Sequence, residues 1–130
     1  MRIVVADDDA AMRSLVSDEL EEEGYEVIQV ADGEAAVRAV SERVPDVVVT
    51  DLRMPHGGLE LVATLKTLAP HTPVILMTAF GDKQTETLAY QWGASAYFNK
   101  PVRMGELKAA VRNLLEGRTW PEKGGDQTHL

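Results

Sequence analysis

Five residues of this chain could do chemistry together if the fold brought them to one place. Asp7 and Asp8 directly follow the short apolar run Ile3–Ala6. Asp51 follows Val47–Thr50, Thr78 follows Val74–Met77, and Lys100 stands just after Ala96–Phe98. Grouped, they are three acids, a hydroxyl and an ammonium. Two carboxylates about 4 Å apart repel by roughly 4 kcal/mol at an effective dielectric near 20. A hard divalent cation with oxygen ligands relieves that repulsion. Mg²⁺ suits such a site, because it takes one or two carboxylates, keeps waters and completes its shell with phosphate oxygens. A phosphoryl group entering there would meet Mg²⁺ on one side and Lys100 on the other. Both charges favour a transition state with negative equatorial oxygens. A carboxylate can be the nucleophile, and Asp51, alone at its strand end between the other acids and Lys100, is assigned that role.

The elements that must position these residues are legible as alternating runs. The apolar runs Ile3–Ala6, Val27–Val30, Val47–Thr50, Val74–Met77 and Ala96–Phe98 are mostly continuous rather than alternating. Such runs indicate strands buried on both faces, as in a parallel sheet. Between them lie helical stripes: Met12, Leu15, Val16 and Leu20; Ala35, Ala36, Val37 and Val40; Leu61, Val62, Leu65 and Leu68; Leu88, Ala89 and Trp92; Leu107, Val111, Leu114 and Leu115. Gly24 and Gly93 follow the first and fourth helices as left-handed caps. Asp9, Asp32 and Asp82 stand at N-cap positions. Strict βα alternation predicts an α/β fold, a five-stranded parallel sheet with helices on both faces. Five units suit the flavodoxin-like three-layer (βα)5 arrangement, whose order 2-1-3-4-5 enters by analogy. Sites in such folds lie beyond the carboxyl ends of the strands.

Composition narrows the function classes. The 130 residues suit one domain. The net charge of -8 argues against direct nucleic-acid binding by this domain. The chain has no cysteine, which excludes disulfides and zinc–thiolate sites. No apolar stretch reaches the length of a membrane span. No signal-peptide pattern opens the chain, so a cytoplasmic location is expected. The segment 118–130 is rich in Gly, Pro and polar residues and is expected to be a flexible tail or linker after a domain spanning 1–117. Trp120 is the one residue there suited to docking. His56, His71 and His129 show no ligand spacing, and Glu21–Glu23 read as a solvated helix end.

Four motifs together resemble a known family. Val5-Ala6-Asp7-Asp8-Asp9, Asp51-Leu52-Arg53-Met54-Pro55, Met77-Thr78-Ala79 and Asn99-Lys100-Pro101 occur in the order and at the spacing of the response-regulator receiver domain of two-component systems. The resemblance covers roughly residues 2 to 116. It implies that Asp7 and Asp8 are the acidic pair, with Asp8 a direct Mg²⁺ ligand. It also implies that Asp51 is the phosphoacceptor and also a metal ligand, and that the Arg53 backbone carbonyl completes the metal site. Thr78 and Tyr97 would be the switch pair. Lys100 would contact the phosphoryl group, with a cis bond to Pro101.

The mechanism implied is transfer from a phosphohistidine on a sensor histidine kinase or histidine phosphotransfer protein. A change then follows on the face of the fourth helix, fifth strand and fifth helix. Such a domain is a switch rather than a turnover enzyme. Its implied partners include an effector domain or other output partner, with transcription regulation among the outputs, and homodimers form through that same face in the family. The alternative is a receiver-like module that works by interaction without phosphorylation; modules of that kind typically lack an acid, the hydroxyl or the lysine, and all are present here. A flavin or nucleotide binder on the same fold would need a glycine turn after the first strand, where this chain has three aspartates. Two departures from the family pattern stand out: the shortened loop His56-Gly57-Gly58, and Val102 where Phe commonly follows Lys-Pro.

Overall fold

The computed structural model describes residues 1–79 and 81–121. Five strands alternate with five helices: β1 Arg2–Ala6, α1 Ala10–Glu22, β2 Glu26–Val30, α2 Gly33–Glu42, β3 Val47–Asp51, α3 Leu59–Leu68, β4 Val74–Thr78, α4 Lys83–Gln91, β5 Ala96–Asn99 and α5 Met104–Leu115. The strands form one parallel sheet in the order β2-β1-β3-β4-β5, as expected.

Both faces of the three inner strands are covered, and this explains the continuous apolar runs. Val4, Val48, Val74 and Leu76 point to one side, where Ala36, Val40, Leu61, Val62 and Leu65 of α2 and α3 pack with Ala89 of α4. Ile3, Val5, Val47, Val49, Ile75 and Met77 point to the other, against Val16 and Leu20 of α1 and Leu107, Ala110 and Val111 of α5. Each inner strand thus buries alternate residues into two separate cores.

The helical stripes need correction at their edges. Leu15, Leu68, Leu88 and Trp92 are all more than a third exposed. In α1 the helix is turned so that Ser17, rather than Leu15, enters the interface with Val16 and Leu20. In α4 only Ala89 is buried.

Chain reversals follow the local signals. Asp9, Asp32 and Asp82 each accept from helix N-terminal amides. Gly24 and Gly93 take φ of 94° and 118°. The loop after β3 is closed by Gly57 N–H donating to Met54 O and Gly58 N–H donating to Leu52 O, both at 3.0 Å. Val102 packs into the α1/α5 core. Gly117, at φ 79°, reverses the chain after α5. Its N–H donates to Leu114 O at 3.1 Å, and Arg118 N–H donates to Asn113 O at 2.8 Å, the paired bonds of a Schellman turn. The turn sends Trp120 back onto β5, where its ring lies 6.2 Å from that of Phe98. Arg118–Pro121 therefore follow the body of the domain, and residues 122–130 of the expected tail lie outside the described residues.

Candidate functional site

The parallel register assembles the site. Asp7 is the first residue beyond β1, and its N–H donates to Val30 O at 3.1 Å. Asp51 ends β3 opposite Met77, and Thr78 ends β4 opposite Asn99. Lys100 N–H then donates to Thr78 O at 2.7 Å, which fixes where its side chain starts.

The side chains converge as the spacing predicted. Lys100 Nζ lies 2.7 Å from Asp51 Oδ2 and 3.1 Å from Asp7 Oδ2. Asp7 Oδ1 accepts from the Asp9 amide at 2.9 Å, and Asp51 Oδ1 accepts from the Arg53 amide at 2.8 Å. Each of these two carboxylates is held by one backbone N–H and one shared ammonium. Asp7 is fully buried and Asp51 nearly so, whereas Asp8 is exposed. Carboxylate oxygens of Asp7, Asp8 and Asp51 all lie within 4.8 Å of one another.

These oxygens are a donor set for a hard divalent ion. Three carboxylates face one ammonium, so negative charge is left over when all are ionised. The titration behaviour follows. Burial pushes the Asp7 carboxyl up and the Asp51 charge adds to it, while the Asp9 amide and Lys100 pull down without cancelling the rise. For Lys100, burial works against the charge, but the hydrogen bonds and charges of Asp51 and Asp7 outweigh it and the ammonium is held more firmly than usual.

Thr78 is buried at the floor of the site. Tyr97 points inward, its hydroxyl buried, on the same face of β5 as Asn99. Burial pushes its phenol up, with the charges of Glu86 and Asp82 adding to the effect. The Lys100–Pro101 bond is cis. Asp9 caps α1, accepting from the amides of Ala11 and Met12 at 3.0 and 3.2 Å, and its carboxylate lies outside the group of three. Arg13 was not singled out from the sequence. Its Nη1 donates to Asp7 O at 2.7 Å, so α1 grips the strand end that carries the acids. The only available signal was its spacing, six residues after Asp7 and inside the first helix.

Comparison with known proteins agrees with this geometry. A family model described as "Response regulator receiver domain" matches residues 3–112. The chain belongs to that family. It is 35% identical over 131 residues to "Response regulator MprA" of Mycobacterium sp. (strain KMS), covering 100% of this chain and 56% of that protein. It is 31% identical over 115 residues to "Sporulation initiation phosphotransferase F" of Bacillus subtilis (strain 168), covering 88% of this chain and 93% of that one. Among solved structures, a CheY-like response regulator receiver domain protein from Methanospirillum hungatei JF-1 superposes with a TM-score of 0.85 at 26% identity, covering 89% of this chain and 94% of that one. The chain spans about half the length of the MprA relatives that it matches. Among the described residues, no helix of this receiver domain is long and apolar enough to cross a membrane.

Proposed function

We propose that this receiver domain takes a phosphoryl group on Asp51 from a phosphohistidine of a sensor histidine kinase or histidine phosphotransfer protein, in a Mg²⁺-dependent step. The observation that carries this reading is the shared ammonium: Lys100 bridges Asp51 and Asp7 beside a third carboxylate within metal-ligand distance. Asp7, Asp8 and Asp51, with the Arg53 backbone carbonyl, would hold the ion. When bound, Mg²⁺ would supply charge neutralisation and orient the phosphoryl oxygens. Asp51 Oδ1 is held by the Arg53 backbone amide and Oδ2 by the Lys100 side chain; the side chain is the partner that can move away, so Oδ2 is the oxygen that would attack. It would form the O–P bond as the P–N bond to the partner's imidazole breaks and the imidazole leaves with the electron pair. Lys100, released from Oδ2, would take a phosphoryl oxygen.

The buried Thr78 hydroxyl and inward Tyr97 support a switch role for that pair, with the face of α4, β5 and α5 as output. Homodimerisation through this face and coupling to an effector domain belong to the same proposal. So do a receiver unit spanning 1–117 and a cytoplasmic location beside the phosphodonor. In this reading the domain is a switch, and its chemistry stops at one phosphoryl group per signal. The net charge of -8 keeps nucleic-acid contact with any attached domain rather than with this one.

The test is intact mass after incubation with Mg²⁺ and a small phosphodonor, repeated in excess chelator and with Asp51→Asn. A phosphoryl adduct that needs Mg²⁺ and is absent from Asp51→Asn is the expected result. If Mg²⁺ binds and no donor modifies the protein, the phosphorylation-independent interaction module replaces this reading.

A further inference from the structure

Gly81 lies in the turn between β4 and α4, directly before the cap residue Asp82. The requirement at this position is space. A Cβ there would overlap the Tyr97 hydroxyl oxygen outright, and would stand 2.6 Å from Thr78 Cγ2 and 2.7 Å from Asn99 Oδ1. Thr78 and Asn99 end β4 and β5 opposite each other, and Tyr97 stands two residues before Asn99 on the same face. Tyr97 is the long one, able to leave by rotating about its own side-chain bonds. Its hydroxyl is buried with no hydrogen-bond partner among the described residues, so fit rather than a hydrogen bond keeps it there.

We propose that Gly81 is a positioning residue for the switch: by lacking a Cβ it leaves open the slot that inward Tyr97 fills, and so sets the resting population of that rotamer. The inward seat then exists before any phosphoryl group arrives. A side chain at position 81 would turn Tyr97 outward, because that overlap is the deepest of the three and a ring can rotate away, while the Thr78 methyl and the Asn99 amide would have to shift by smaller amounts. The steric part stands on geometry alone; its consequence for signalling rests on the phosphoacceptor reading above.

The test uses the full chain with ring-¹³C tyrosine, in which the Tyr97 signal is assigned by its loss in Tyr97→Phe. A soluble gadolinium chelate broadens exposed rings. In the unmodified protein the Tyr97 ring should be protected, and in Gly81→Ala it should be broadened several-fold more. A folded Gly81→Ala whose Tyr97 stays equally protected overturns the proposal. If Gly81→Ala fails to fold, recovery in Gly81→Ala/Tyr97→Ala supports the clash, and continued failure overturns it.

A second arm titrates Mg²⁺-beryllofluoride. If the inward state falls to about a tenth of molecules, apparent affinity falls about tenfold. Unchanged affinity with Tyr97 displaced overturns the link to the site. Absence of binding to the unsubstituted protein overturns the phosphoacceptor reading instead, and the protection measurement, made without any donor, still decides the steric claim.

Discussion

Asp7→Asn should make the metal-free protein more stable while removing its response to Mg²⁺. The side chain of Asp7 is fully buried, and its oxygens lie within 4.8 Å of those of Asp8 and Asp51. At an effective dielectric near 20, two unit charges at that distance repel by about 3 kcal/mol, and Asp7 has two such neighbours. Its attraction to Lys100 Nζ at 3.1 Å is about 5 kcal/mol on the same scale. The two repulsions together exceed the attraction by about 1–2 kcal/mol, and solvent screening of the exposed Asp8 brings them close to balance. What remains is the cost of burying the carboxylate, the largest cause of its raised pKa. Asparagine keeps an oxygen for the Asp9 amide and Lys100 but carries no charge. The expected gain is about 1–2 kcal/mol at neutral pH.

The pH dependence has a definite sign. The folded-state pKa of Asp7 is raised above its ordinary value of 3.8, so between the two values the folded form binds more protons than the unfolded form. Stability then falls as pH rises through that window. Below it Asp7 is neutral in both states and resembles Asn, so the gap between variant and parent should be small near pH 3.5 and grow toward neutrality. Urea unfolding in chelator at several pH values measures this gap, and repetition with Mg²⁺ measures linkage. Destabilisation of Asp7→Asn by 2 kcal/mol or more in chelator, or equal stabilisation of both proteins by Mg²⁺, would refute the reasoning.

Lys100→Ala strands two carboxylates, and its side chain is only 18% exposed; a loss of about 2 kcal/mol in chelator is expected, with Mg²⁺ raising the Tm of the variant more than that of the parent. Asp9→Ala should cost about 1 kcal/mol through loss of the α1 cap and leave Mg²⁺ affinity close to that of the parent by titration; a large loss of affinity would make Asp9 a ligand. Trp120→Ala should cost about 1–2 kcal/mol in urea unfolding, and a negligible cost would mean that the ring contributes no stability against Phe98.

The site's layout was legible because a parallel βα sheet converts sequence position into spatial position. Residues just past the carboxyl ends of adjacent strands must meet, so the apolar runs placed Asp7, Asp51, Thr78 and Lys100 at strand ends, and the strand order brought them together. That order could not be read from the runs, since alternation does not say which strand sits at the edge; it came by resemblance. Orientation was less legible than position. Leu15, Leu88 and Trp92 match the helical period yet face solvent, because rotation of a helix by part of a turn is decided by what lies opposite. In α1 the small Ser17 fits where Leu15 does not. Arg13 escaped notice for a related reason: its bond is to a backbone carbonyl, which leaves no pattern of side-chain types. Gly81 escaped because its purpose is defined by the hydroxyl of a residue in another strand.

Asp7 and Asp51 cannot relieve their mutual repulsion by moving. Asp51 ends a strand paired on both sides, and Asp7 is tied by its own amide to β2, by its carbonyl to Arg13 and by its carboxylate to the Asp9 amide. Relief has to come from a proton or a cation. A proton favours Asp7, whose carboxyl is the one pushed up. Lys100 reaches Asp7 and Asp51. Asp8 is the exposed member of the three, open to solvent. A divalent cation arriving there gains two further carboxylates already held in place by the fold. The rigidity that makes the metal-free site unfavourable is thus the same property that would prepare it to bind a cation.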